Sequence, residues 1–228
     1  MASPIENTRV LLPFRDRYEA GKLLAASLGA YRNRTDVLAL ALPRGGVPVA
    51  FEVALSLRAP LDVFVVRKLG VPGYEELAFG AIASGGVRVL NPLLVRELGM
   101  TEEMIDMIAA REQKELERRE RAYRDSRPAP EVRGKVVILI DDGLATGATM
   151  LAGAKALRQK EPREIIVAVP VAAPQTCDEF RPEVDHIVCA VTREPFYAVS
   201  RWYEDFSETT DDEVRDLLER AAARPGVS

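Results

Sequence analysis

Apolar residues fall along this chain in short unbroken runs, each closed by acids, cations or glycines, and between the runs they recur at helical spacing. The most emphatic run is Val136-Val137-Ile138-Leu139-Ile140, whose consecutive, mostly β-branched side chains predict a strand buried on both faces of a parallel sheet. Comparable strands are predicted at 36–42, 61–66, 164–170 and 185–191. Leu23, Leu24 and Leu28 place an amphipathic helix within 14–31, and 47–57, 150–160 and 175–180 read as further helices. Asn91-Pro92 opens a short helix, with Asn as cap and Pro in the first turn, that stops at Gly99. Thr101-Glu102-Glu103 then caps a long helix to about Tyr123. Its first half carries Met104, Ile105 and Ile108. Its second half is dense in alternating charge, with Glu115 and Arg119 spaced for ion pairing, and reads as a solvated or dimer-facing surface. Residues 69–77 read as a Gly- and Pro-rich loop leading into 78–83, where Ser84-Gly85-Gly86 turns the chain into the return strand Val87-Arg88-Val89-Leu90. Asp211-Asp212-Glu213 caps a final helix over 214–223.

This order of elements predicts an α/β fold: a doubly wound, mainly parallel sheet with a small hood formed by the termini and a β-hairpin. The expected domain is single, with a core at about 32–191 and a hood from about 1–31 and 192–228. At 228 residues the chain is long enough for a substantial core. A net charge of −4 and a pI near 5.3 supply no basic field for nucleic acid. No apolar run approaches a membrane span. Pro4, Glu6, Asn7 and Arg9 stand where a signal peptide needs its apolar core, so a cytoplasmic protein is expected. Cys177 and Cys189 make no metal spacing. Cys189, within an apolar run, is expected to be a buried thiol rather than half of a disulfide. His186 is the single histidine, which argues against a multi-histidine metal site or a Ser-His-Asp triad and suggests a strand-edge residue.

The candidate chemistry sits at the ends of the runs. Asp141 and Asp142 follow the central strand at its carboxyl end, where open α/β sheets place ligands. Gly143-Leu144-Ala145-Thr146-Gly147-Ala148-Thr149 then leads into a helix. Small residues there let the backbone close on an anion, free N–H groups favour a phosphate, and the Thr146 and Thr149 hydroxyls add donors. A Walker A loop would need a lysine that Gly147-Ala148-Thr149 lacks, and a dinucleotide fingerprint would need glycines directly after the strand. The first strand ends in Pro43-Arg44-Gly45-Gly46, a tight turn with an arginine placed to meet an anion; the plainer reading is an ordinary turn with a solvated arginine. Arg67-Lys68 ends the second predicted strand, either as a basic strand end or as cations for a departing anion.

The stretch from Val137 to Thr149 resembles the signature of type I phosphoribosyltransferases, which bind 5-phosphoribosyl-1-pyrophosphate (PRPP): apolar strand, two acids, then Thr-Gly-x-Thr. The resemblance runs from about Asp36 to Val191. Together with Pro-Arg-Gly-Gly, Val-Arg-Lys-Leu-Gly and a Trp-Tyr-x-Asp-Phe tail, it is similar to a bacterial group of predicted phosphoribosyltransferases without an assigned acceptor. It implies that Asp141 and Asp142 hold ribose hydroxyls, and that residues 143–149 bind the 5-phosphate. Arg44, Gly45, Gly46, Arg67 and Lys68 would hold the pyrophosphate. It also implies Mg²⁺ as cofactor bound through PRPP near Asp141 and Asp142, a mobile hairpin at about 69–90, and a homodimer. Ala145 departs from the 6-oxopurine enzymes, which carry an aspartate there. An adenine-like site stays compatible, with Glu75 or Glu76 as base. Phe196, Tyr197 and Trp202 either stack on a planar acceptor or pack the last helix as a satellite core. Two rival readings remain: a PRPP-sensing regulator without chemistry, and PRPP synthesis, for which the chain is short.

Overall fold

The computed structural model describes residues 13–125 and 127–224, apart from the side chains of Glu75 and Glu76. The expectations for 1–12, and for a catalytic side chain at Glu75 or Glu76, therefore lie outside the described residues.

The centre of the molecule is a parallel sheet of β1 (Val37–Ala41), β2 (Leu61–Val63), β6 (Val136–Ile140), β7 (Glu164–Ala172) and β8 (His186–Thr192), in the order β2-β1-β6-β7-β8. The run at 136–140 forms the middle strand, with Ile140 level with Ala41 on one side and Ala168 on the other. Every residue of β1 and β6 is buried, as consecutive apolar residues require when both faces are covered. Alternate side chains go to opposite layers. Ala39, Ala41, Ile138 and Ile140 pack with α1 (Arg17–Ser27), α2 (Gly46–Leu57) and α7 (Asp211–Ala222). Leu38, Leu40, Val137 and Leu139 pack with α5 (Ala148–Arg158) and α6 (Pro174–Phe180). His186 opens the outer strand β8 and is exposed, as a strand-edge residue should be.

A second, antiparallel sheet joins β3 (Val66–Val71), β4 (Tyr74–Ala83) and β5 (Val87–Leu90). This corrects the reading of 61–66 as one strand ended by Arg67-Lys68. Phe64 still donates to Ala41 O at 2.8 Å, but Val65 N is taken by Ser84 Oγ at 2.8 Å, and Val65 O accepts from Ser84 N at 2.9 Å. The chain thus leaves the parallel sheet at Phe64-Val65, and Arg67 and Lys68 lie inside β3. The stretch 69–77 is likewise strand–turn–strand rather than loop, with Gly73 (φ 80°) at the turn, so the expected hairpin is a three-stranded sheet.

Short α3 (Pro92–Glu97) and long α4 (Glu102–Arg124) start where the sequence predicts. Asn91 Oδ1 accepts from Leu93 N and Leu94 N at 3.2 Å, and Thr101 Oγ1 from Met104 N at 3.3 Å. The terminal segments meet beside α1: Phe14 N donates to Trp202 O at 2.8 Å and Glu204 N to Phe14 O at 2.7 Å. The expectation of an unpaired Cys189 is overturned. Helix α6 runs back across β8, bringing Cys177 within a Cα–Cα distance of 6.8 Å of Cys189, and the two form a disulfide. Pairing across a strand and a neighbouring helix is set by tertiary packing, which residue spacing does not reveal.

Candidate functional site

The site begins at the carboxyl end of β6, where the strand stops and Asp141 and Asp142 turn toward α2. Asp142 N donates to Asp141 Oδ1 at 2.9 Å, so the pair is locked through its own backbone. Burial, and then the neighbouring Asp142 charge, push the Asp141 carboxyl well above the usual carboxylate range. Burial also raises Asp142, opposed by Arg17, whose Nε lies 2.9 Å from Asp142 Oδ2. The Tyr203 hydroxyl donates to Asp142 O at 2.5 Å. Burial and the two acids keep that hydroxyl protonated.

The turn after β1 closes against these acids. A Cβ on Gly45 would lie 2.2 Å from Asp142 Oδ2, and one on Gly46 2.7 Å from Ile140 O and 3.0 Å from Asp141 Cα. The glycines of Arg44-Gly45-Gly46 are therefore required by contact with the signature acids. The Pro43–Arg44 peptide is cis. Arg44 pairs with Glu208 and, at 3.5 Å, with Asp211. Asp211 also accepts from the Tyr123 hydroxyl at 2.9 Å; burial, and then this bond, push Tyr123 up to about 12.

Residues 143–149 form a braced loop. Leu144 pairs with Ala172 at the end of β7, donating to Val171 O at 2.9 Å. Gly147 sits at φ 69° as the cap of α5, and a Cβ there would lie 2.5 Å from the Phe180 ring. Among the described residues, the N–H groups from Ala145 to Thr149 donate to no protein group, while Ala145 and Thr146 are exposed. That is the arrangement of a helix start open to an anion. Thr176 Oγ1 of α6 donates to Ala145 O at 2.7 Å, fixing the loop from behind. Thr176→Val keeps the shape and removes that donor, so it should cost about 1 kcal/mol in urea denaturation; an unchanged midpoint would show that the brace is idle.

The remaining expected residues are placed less directly. Arg67 reaches Glu112 of α4, with Nε 2.6 Å from Oε2, and Glu112 is largely buried; Lys68 is exposed. Phe196 and Trp202 stack on each other with ring centroids 5.8 Å apart, and Tyr197 is exposed with Arg201 over its ring. Phe196 and Trp202 pack with Phe14, Val171 and Tyr203 as a satellite core. Reading the sequence missed Arg17, Tyr203, Glu112 and Thr176. Tyr203 lay within the noted aromatic tail, whereas Arg17 carried no local signal beyond opening a helix. A polar cavity of about 150 Å³ lies beside Arg17, lined among others by Asp16, Tyr18, Ser207 and Glu213. No cluster of three or more metal-ligating side chains occurs among the described residues, and none of their helices is long and apolar enough to cross a membrane.

A family model described as a phosphoribosyl transferase domain matches residues 16–191. A Mycobacterium tuberculosis protein named "Putative phosphoribosyl transferase Rv0571c" is 44% identical over 208 residues, which are 91% of this chain and 47% of that protein. The counterpart from a second strain matches equally. The chain thus spans about half the length of the curated relatives it matches. Among solved structures, TT1426 from Thermus thermophilus superposes with a TM-score of 0.81 at 42% identity, covering 91% of this chain and 98% of that one.

Proposed function

Because this chain belongs to the phosphoribosyl transferase family, we propose that it moves the 5-phosphoribosyl group of PRPP to a nitrogenous, nucleobase-like acceptor and releases pyrophosphate. The observation that carries the reading is the pair of adjacent acids packed against a glycine turn with no room for a Cβ, followed directly in the chain by a loop of open N–H groups. Asp141 and Asp142 take ribose hydroxyls. The N–H groups of 145–149, with the Thr146 and Thr149 hydroxyls, take the 5-phosphate. Arg44 and the turn at Gly45-Gly46 hold the pyrophosphate, with Arg67 and Lys68 as further cations for it; Glu208, Asp211 and Glu112 are the carboxylates that balance the two arginines until it binds.

Mg²⁺ fits this donor set. The carboxylates are hard oxygen ligands, and the described residues build no cage of their own, which suits an ion that keeps its waters and binds chiefly through substrate phosphates. When bound, it neutralises pyrophosphate charge. In the reaction the bond from the anomeric carbon to pyrophosphate oxygen breaks, that oxygen keeping the electron pair. A bond forms from the carbon to an acceptor nitrogen, whose proton passes to a base. Glu75 or Glu76 is the proposed base; full turnover in both Glu75→Gln and Glu76→Gln would remove that role. The stretch at about 69–90, within the sheet of β3, β4 and β5, is the proposed closing element that shields the reacting carbon from water. We further assign the protein to nucleotide salvage in the cytoplasm, acting as a homodimer with core 32–191 and a hood from both ends.

The deciding experiment is pyrophosphate release from PRPP and Mg²⁺ against a panel of purines, pyrimidines, pyridine carboxylates and amines. Acceptor-dependent release, lost when Asp141→Asn and Asp142→Asn are combined, is the expected result. PRPP raising the melting temperature with no release from any acceptor would favour a PRPP-sensing regulator. No release and no binding would overturn both readings.

A further inference from the structure

Arg17 opens α1, 125 positions away from Asp142 in sequence, yet its guanidinium is engaged on several sides. Nε donates to Asp142 Oδ2 at 2.9 Å, and Nη1 donates to Ser207 O at 2.7 Å. The Phe206 ring lies 3.9 Å from the guanidinium carbon. The two charged side chains are only 11% and 14% exposed. A pair this enclosed is more than a surface ion pair, because each partner would be left as a costly buried charge without the other.

The contact decides what Asp142 can offer. Oδ2 is wedged between Arg17 and Gly45, where even a methyl group would lie 2.2 Å away. The main chain of the same residue is fixed by the Tyr203 hydroxyl at its carbonyl. Among the described residues, no donor of another residue reaches Oδ1 of Asp142. Asp141 shows the same division, with Oδ1 accepting from Asp142 N and Oδ2 accepting from no protein group among the described residues. Each acid therefore presents one oxygen and commits the other to the protein.

We infer that Arg17 is a positioning residue for sugar recognition: by holding Oδ2 of Asp142 it aims Oδ1 at a ribose hydroxyl of the phosphoribosyl group. This rests on the PRPP reading above and deepens it, since neither the signature stretch nor the pyrophosphate turn contains Arg17. Lysine keeps the charge but has neither the planar fork nor the stacking face, so it replaces arginine only in part.

The test measures binding of three probes, PRPP, ribose 5-phosphate and inorganic pyrophosphate, each with Mg²⁺, by calorimetry on the whole chain. Wild type is compared with Arg17→Gln, the milder Arg17→Lys, and Arg17→Ala with and without added guanidinium ion. Arg17→Gln should weaken PRPP and ribose 5-phosphate about tenfold or more, the scale of one hydrogen bond to a charged group. Pyrophosphate, which meets other residues, should change less than about twofold by the same reasoning. Arg17→Lys should fall between, and guanidinium should restore part of the sugar-phosphate affinity to Arg17→Ala. Equal weakening of all three probes, in Arg17→Lys as in Arg17→Gln, would make Arg17 a mere brace of the fold and overturn the inference. Unchanged sugar-phosphate binding would overturn it too. Wild type that binds none of the probes would refute the PRPP reading itself, a result distinct from both.

Discussion

Asp141→Asn is expected to slow phosphoribosyl transfer by about a hundredfold to a thousandfold, the scale of removing one preorganised polar group from a reacting centre, while making the ligand-free protein more stable. The two effects share a cause. Asp141 is buried beside a second acid, with Arg17 committed to the other member of the pair. Its carboxyl therefore holds a proton more tightly in the folded chain than in the unfolded one. For such a group stability is full in acid, below the unfolded value near pH 4, and falls as pH rises through the folded value, because the folded state binds more protons. Asparagine does not titrate and leaves no buried charge. The gap in favour of the variant should be absent in acid and open with rising pH, reaching about 1 kcal/mol, or about 2–4 °C in melting temperature for a chain of this size. Melting curves of both proteins from acid to mildly alkaline buffer decide the matter. A gap independent of pH, or a destabilised variant, would count against the assignment. The expected outcome would mean that the acid is kept at a cost in stability for the oxygen it offers the site.

Gly46→Ala should be the most damaging of the conservative changes. The new methyl would stand 2.7 Å from Ile140 O, 3.0 Å from Asp141 Cα and 3.1 Å from Asp141 Oδ1. The first two are main-chain atoms of the central strand and its exit, so no side chain can swing aside. Gly46 is also tied down by its own N–H, which donates to Leu42 O at 3.1 Å. Relief requires moving the start of α2 away from the end of β6, which separates the turn from the acids. We expect a loss of about 3 kcal/mol, at the upper end for overpacking, together with loss of PRPP binding. Gly29→Ala is the matched control: a Cβ there meets nothing within 4 Å, and its effect should stay within about 0.5 kcal/mol. Urea denaturation of both variants makes the comparison. Similar costs at the two positions would refute the contact argument.

The features legible in the sequence are those whose cause is local. Five mostly β-branched apolar residues in succession suit a strand covered on both faces, and 136–140 is the middle strand. Asn91 and Thr101 cap the helices they were read to cap, because a cap is a contact with the next turn. The acids and the glycine loop lie where strand ends put them. What escaped was the choice of distant partners. The apolar stretch 63–66 continues without a break in composition, yet Ser84, 19 residues further on, captures Val65 and divides the stretch between two sheets. Cys177 and Cys189 meet because α6 folds over β8. Arg67 looked like a free cation at a loop, but Glu112, one of many charges on α4, is turned inward to hold it. Arg17 resembled any arginine at a helix start until Asp142 arrived beside it.

The bracing of Asp142 bears on the order in which the molecule can be completed during translation. Its side chain is held from residue 17, its flank is shaped by residue 45, and its carbonyl is held from residue 203. A nascent chain that has exposed the signature, and even the whole of β8, still lacks Tyr203, Phe206 and the Ser207 carbonyl that steadies Arg17. The sheet can assemble while synthesis continues, but the acid pair reaches its final setting only after residue 207 has left the ribosome. A chain interrupted shortly before that point would carry the signature and Arg17 intact and still lack the Ser207 carbonyl that steadies Arg17.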